Sequence, residues 1–233
     1  MSDVILISGA TSSLGKEFVK QNKNSAIVAI GRHLPKADIP FFQFDFSKRV
    51  TEKDFSFLDE YMKDKNIKAF VWMAGFFKRV SLSEIKPEDM ENNLYLDVIN
   101  PLTICSRYET QIRNGKASLV FVSSLLTHRF NSDNIPYSVS KSAQVAMMKN
   151  IALNLGKYDV RANSVSPSLF KSNMSQSVFK DKEKIAKLLE HVPLHRLPTA
   201  KSVVKTINFL ISDNSRDITG QEFIIDCGNL LCF

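Results

Sequence analysis

Val4-Ile5-Leu6-Ile7-Ser8-Gly9-Ala10-Thr11-Ser12-Ser13-Leu14-Gly15-Lys16 decides the architecture of this 233-residue chain. A short apolar run stops at Ser8, a glycine follows at once, and a helical pattern opens near Leu14. A glycine-bearing turn between strand and helix lets backbone N–H groups and the helix N-terminus approach a pyrophosphate. The same residues also suit a plain βα turn with Ser13 as its N-cap. A P-loop does not fit, because five residues rather than four separate Gly9 from Gly15, and Glu17 follows Lys16.

Outward from this turn, apolar runs and helical patterns alternate. Strands are expected over 4–8, 26–30, 41–45, 67–73, 119–123, 160–165 and 222–226. Helices are expected from 14 to 21, 53 to 65, 87 to 113, 136 to 156, 182 to 190 and 200 to 212. The strands lack polar alternation, as expected where helices cover both faces of a parallel sheet. One α/β domain over residues 1–233, a doubly wound parallel sheet, is the expected fold. Hydrophobic residues at 44% and charged residues at 24% suit a globular chain. Cys105, Cys227 and Cys232 fit neither a disulfide framework nor zinc spacing, which points to a reducing cytoplasm. His191 and His195 flank Pro193 without a third ligand, so no metal is expected. No signal peptide or membrane span is read from the sequence. The net charge of +7 suits an anionic ligand or general solubility. No basic stripe interleaves with aromatics, so nucleic acid is not an expected partner.

Two further sites carry chemistry. Tyr137 and Lys141, four apart on a helix, share a face, and Ser124 at a strand end can meet them. An ammonium beside a phenol favours the phenolate and brings proton exchange closer to neutral pH. Tyr-x3-Lys alone also occurs on ordinary amphipathic helices. Arg32 follows the second strand where an acid would hold ribose hydroxyls in an NAD site, and an arginine accommodates a 2′-phosphate; its plainer reading is a surface arginine. Asp45 can accept from an adenine amino group or cap the next turn.

Taken together, Ser8/Gly9/Gly15, Ala74-Gly75, Ser124, Tyr137/Lys141, Arg161-x-Asn163-x3-Pro167 and the closing 218–228 segment resemble the short-chain dehydrogenase/reductase family along nearly the whole chain. The resemblance implies a Rossmann-like sheet, NADP(H), and a carbonyl reductase or alcohol dehydrogenase acting on a small ketone or alcohol. It assigns Ser124, Tyr137 and Lys141 to catalysis, with Lys141 also on the nicotinamide ribose. Asp97 stands where an asparagine would anchor a water of the proton relay. Gly9, Thr11, Ser12, Ser13, Leu14, Gly15, Arg32, Asp45, Ala74, Gly75, Tyr137, Lys141, Pro167 and Ser172 fall along the cofactor. A segment over 168–187, with Leu169, Phe170, Met174, Phe179, Lys171 and Lys180, is expected above the substrate and suits an anionic handle. A 3-oxoacyl-carrier-protein reductase is one alternative, and a catalytically silent NADP(H)-binding regulator is another. A homo-oligomer, tetramer or dimer, is expected through helices 87–113 and 136–156 and the tail bearing Cys227, Leu230, Leu231 and Phe233. The chain departs from the family at Ser13, Trp72-Met73, Asp97, Ser168 and Cys227.

Overall fold

The computed structural model describes residues 2–232, so the expectation for Phe233 lies outside the described residues. Seven strands form one sheet: β1 (Ser2–Ser8), β2 (Ile27–Gly31), β3 (Phe41–Gln43), β4 (Lys65–Trp72), β5 (Ser118–Val122), β6 (Arg161–Pro167) and β7 (Glu222–Ile225). Their spatial order is β3-β2-β1-β4-β5-β6-β7, and every pairing is parallel. Side chains on a strand alternate between faces, and here both faces are apolar. Leu6, Val28, Ile30, Phe70, Trp72, Leu119 and Phe121 enter one core. Their neighbours Ile7, Ile27, Ala29, Val71, Val120 and Val122 enter the other. The strands therefore read as continuous apolar runs.

Helix α1 (Ser13–Gln21) follows β1, and α2 (Glu52–Met62) ends before β4. Beyond β4 the expected single helix over 87–113 is broken into α3 (Pro87–Leu94), a π turn at Tyr95–Ile99, α4 (Asn100–Arg107) and α5 (Glu109–Asn114). Pro101 has no N–H to give to the carbonyl of Asp97, four residues earlier, and the Asn100 N–H bonds Tyr95 O instead. Two carbonyls are thereby released. Leu96 O accepts from Trp72 Nε1 at 3.1 Å, and Asp97 O accepts from Gln144 Nε2 at 3.0 Å.

Helix α6 (Ile135–Leu155) lies beside this broken segment, followed by α7 (Gln176–Lys180), α8 (Lys182–Glu190) and α9 (Ala200–Leu210). The chain runs outward from β1 in both directions, to β2-β3 on one side and β4 to β7 on the other. That reversal opens a crevice at the carboxyl ends of β1 and β4, where open α/β sheets take their ligands. No helix among the described residues is long and apolar enough to cross a membrane.

Candidate active site

A cleft of about 1240 Å³ fills this crevice. Its floor begins at Gly9, whose φ of +70° is a left-handed conformation. A Cβ there would sit 2.8 Å from backbone atoms of Met73 and Ala74, so glycine lets the first turn lie against the end of β4. Ser12, not Ser13, is the N-cap of α1: its Oγ accepts from Gly15 N at 3.0 Å. Ser13 and Leu14 occupy the first turn and line the cleft, with no acidic residue beside them. The positive end of α1 therefore meets the cavity uncompensated, as an anion requires.

The departure at Trp72-Met73 is offset from β1. Ser8 Oγ, fully buried, accepts from both Met73 N and Ala74 N at 3.0 Å. The Trp72 indole instead ties β4 to the π turn. Arg32 and Ser47 line the far end of the cleft, with Arg32 exposed. Asp45 Oδ1 accepts from Ser47 N at 3.1 Å and Ser47 Oγ at 2.7 Å, the turn-capping arrangement. Those bonds and the Arg32 and Lys48 charges outweigh desolvation and hold its carboxyl below the usual range.

At the other end, Ser124, Tyr137 and Lys141 all face the cavity. Ser124 caps a short 3-10 turn, its Oγ accepting from Leu126 N at 3.2 Å. Tyr137 and Phe77 meet edge to face, with ring centroids 5.1 Å apart. Burial pushes its phenol above the ordinary value. The Lys141 ammonium and the Ser124 hydroxyl oppose this rise, and Asp97 adds to it. The lysine acts in the expected direction, and desolvation outweighs it. Lys141 Nζ lies 2.9 Å from Asp97 Oδ1 and 2.9 Å from Val122 O. Asp97 is fully buried behind Lys141, its Oδ2 accepting from Ser140 Oγ at 2.7 Å.

Of the fourteen positions expected along the cofactor, twelve border the cleft: Gly9, Thr11, Ser12, Ser13, Leu14, Arg32, Ala74, Gly75, Tyr137, Lys141, Pro167 and Ser172. Gly15 and Asp45 do not. Gly15 packs beneath the turn, where a Cβ would fall inside Gly9 and Ala10. Asp97, expected in catalysis, also lies off the cleft wall. Leu169, Phe170 and Met174 line the cavity as expected, whereas Phe179, Lys171 and Lys180 do not. Helix α8 supplies Lys184, Ile185 and Leu188, an i, i+1, i+4 face that brings a different lysine to the mouth. Arg79, ion-paired at 3.3 Å with Asp133 of the same wall, and Arg129, which donates to Asn229 Oδ1 at 3.1 Å, border the cleft from the loops after β4 and β5. Their positions depend on loop paths that carry no sequence periodicity. The Arg161/Asn163 element is structural: Arg161 reaches the carbonyls of Leu210, Ser212 and Ile218, and Asn163 bridges Ile218 O and Gln221 N.

Comparison with known proteins places this geometry. The family profile described as enoyl-(acyl carrier protein) reductase matches residues 20–229. Carbonyl reductase (NADPH) 2 of Sus scrofa is 35% identical over 118 residues, 51% of this chain, so the chain spans only 48% of that protein's length. The 3-oxoacyl-(acyl-carrier-protein) reductase FabG of Buchnera aphidicola subsp. Schizaphis graminum is 25% identical over 239 residues, covering 96% of this chain and 95% of the relative. A short chain dehydrogenase family protein of Francisella tularensis superposes with a TM-score of 0.86 at 23% identity, covering 99% of this chain and all of the other.

Proposed function

The chain belongs to the short-chain dehydrogenase/reductase family, and on that footing we propose that it is a cytoplasmic NADPH-dependent reductase of a ketone or aldehyde. The observation that carries the reading is the convergence of Ser124, Tyr137 and Lys141 on one end of the switch-point cleft. The opposite end offers Arg32, a planar, always-charged partner for a 2′-phosphate. Between them, Gly9 and the uncompensated N-terminus of α1 suit a pyrophosphate.

When bound, the nicotinamide supplies a hydride to the carbonyl carbon. Ser124 hydrogen-bonds the carbonyl oxygen, and Tyr137 transfers its phenolic proton to that oxygen as negative charge develops. The raised phenol pKa keeps Tyr137 protonated near neutral pH, the form that reduction needs. Lys141 lies beside the phenol, whose rise in pKa it opposes, and would meet the nicotinamide ribose. Phe76, Phe77, Phe130 and Met174 give the substrate end an apolar wall. Lys184 at that wall favours a substrate with an anionic handle, which also fits an acyl-carrier thioester. Three unpaired cysteines suit a reducing compartment.

Carbonyl-dependent oxidation of NADPH by the purified protein tests the reading. Tight NADPH binding without turnover on any carbonyl would favour a silent regulator instead.

A further inference from the structure

A carboxylate from the last strand of the sheet stands behind the turn that carries Ser124. Glu222 opens β7, and its side chain is only 11% exposed. Its Oε1 accepts from Ser166 Oγ at 2.5 Å and from Thr127 Oγ1 at 2.9 Å, and its Oε2 lies 3.1 Å from His128 Nε2. Ser166 belongs to β6 and is fully buried. Thr127 ends the 3-10 turn that Ser124 caps, and His128 follows it. The N–H groups of Thr127 and His128 bond Ser124 O and Leu125 O at 3.1 and 3.0 Å. One carboxylate thus ties this turn to two strands of the sheet. None of Glu222, Thr127, His128 and Ser166 borders the cleft. A hydroxyl that must meet a reacting oxygen needs its place fixed to about 0.5 Å, and hydrogen bonds made behind it supply that.

We propose that Glu222 is a positioning residue: its carboxylate holds the turn over 124–128 so that Ser124 Oγ faces the carbonyl oxygen beside Tyr137. The proposal rests on the catalytic reading of Ser124. Glu222 touches neither substrate nor cofactor and acts only through Thr127 and His128. Its loss should therefore fall on the chemical step and spare the cofactor, whose floor is built at the far end of the cleft from Gly9 and α1.

A double-mutant cycle on turnover, paired with hydrogen exchange, tests this. Glu222→Ala should lower kcat by roughly 10–100-fold and leave NADPH affinity nearly unchanged. In a Ser124→Ala background the same substitution should cost nothing further, because the carboxylate acts through that hydroxyl. Glu222→Gln keeps an acceptor for Ser166 and Thr127 and should retain most of the turnover. Hydrogen exchange needs no substrate: the amides of Thr127 and His128 should exchange faster in Glu222→Ala than in the unmodified protein, while those of β5 should not. An equal loss of turnover with and without Ser124, a parallel loss of NADPH binding, or unchanged exchange in the turn would each overturn the proposal. Where Glu222→Ala fails to fold, Thr127→Val removes one donor with little change of shape and is read by the same cycle; full turnover in that variant would also overturn the proposal. Full turnover by Ser124→Ala would count against the catalytic reading of Ser124 instead, and exchange in the turn would still judge the clamp.

Discussion

The Lys141 ammonium and the Asp97 carboxylate lie 2.9 Å apart with both side chains excluded from solvent. Removing one partner of such a pair leaves the other charge buried and uncompensated, at a cost of about 3–5 kcal/mol. The pair also shapes the chemistry of Tyr137, because Asp97 opposes formation of the tyrosinate while Lys141 favours it.

Asp97→Asn therefore has a signed consequence. Asparagine keeps an acceptor for the ammonium and removes the negative charge that raises the Tyr137 pKa. Alcohol oxidation needs the phenolate and appears as pH rises through that pKa. Its pH profile should shift towards acid in Asp97→Asn, and ketone reduction should fade at lower pH than in the unmodified protein. The variant should also melt at lower temperature. Superimposable pH profiles would show that the carboxylate has no hold on the phenol.

Ser8 supports the cofactor floor through two bonds made by one buried oxygen. Ser8→Ala strands the Met73 and Ala74 N–H groups, each at about 1–3 kcal/mol. A fall in thermal stability with weakened cofactor binding is expected, and Ser8→Thr should restore both. An alanine variant as stable as the parent would show that those N–H groups find other partners.

Much of the molecule is legible in its sequence alone. Paired apolar runs and the Gly9 turn mark out the sheet, and Tyr137 and Lys141 one helical turn apart mark the reacting end. The break at 95–99 is hidden, since Pro101 reads equally well as the start of a new helix or an interruption of an old one. Gln144 is hidden too: at three residues past Lys141 it looks like any polar position on α6, and only the released carbonyl of Asp97 gives it work. Lys184 rather than Lys171 or Lys180 reaches the cleft because α8 turns that side of itself inward. Asp45 has two readings in the sequence, and its bonds to Ser47 fill the turn-capping one.

Cofactor choice should follow Arg32. Calorimetric titration should show NADPH binding more tightly than NADH, and Arg32→Asp should weaken NADPH by roughly 10–100-fold through loss of a charge-assisted bond. Tighter binding of NADH by the unmodified protein would refute the assignment.

Self-association is the expected fate of the outward apolar side chains on the broken helix and on α6. Ile99, Leu102, Val139 and Leu153 are exposed there, Leu153 at 84%, and Leu231 near the C-terminal end is 83% exposed. Light scattering at micromolar concentration should give a dimer or tetramer mass. A mass of 26.3 kDa would mean that the chain works alone.

Tyr137→Phe reaches the centre of the account, because it removes one oxygen and leaves the ring against Phe77. Turnover of a reducible carbonyl and affinity for NADPH should be measured on the same preparation. Turnover should fall by about 10²–10⁴-fold, the usual worth of a positioned proton donor, while NADPH affinity stays nearly unchanged. A phenylalanine variant that kept most of its turnover would contradict the assignment of Tyr137 as the proton donor.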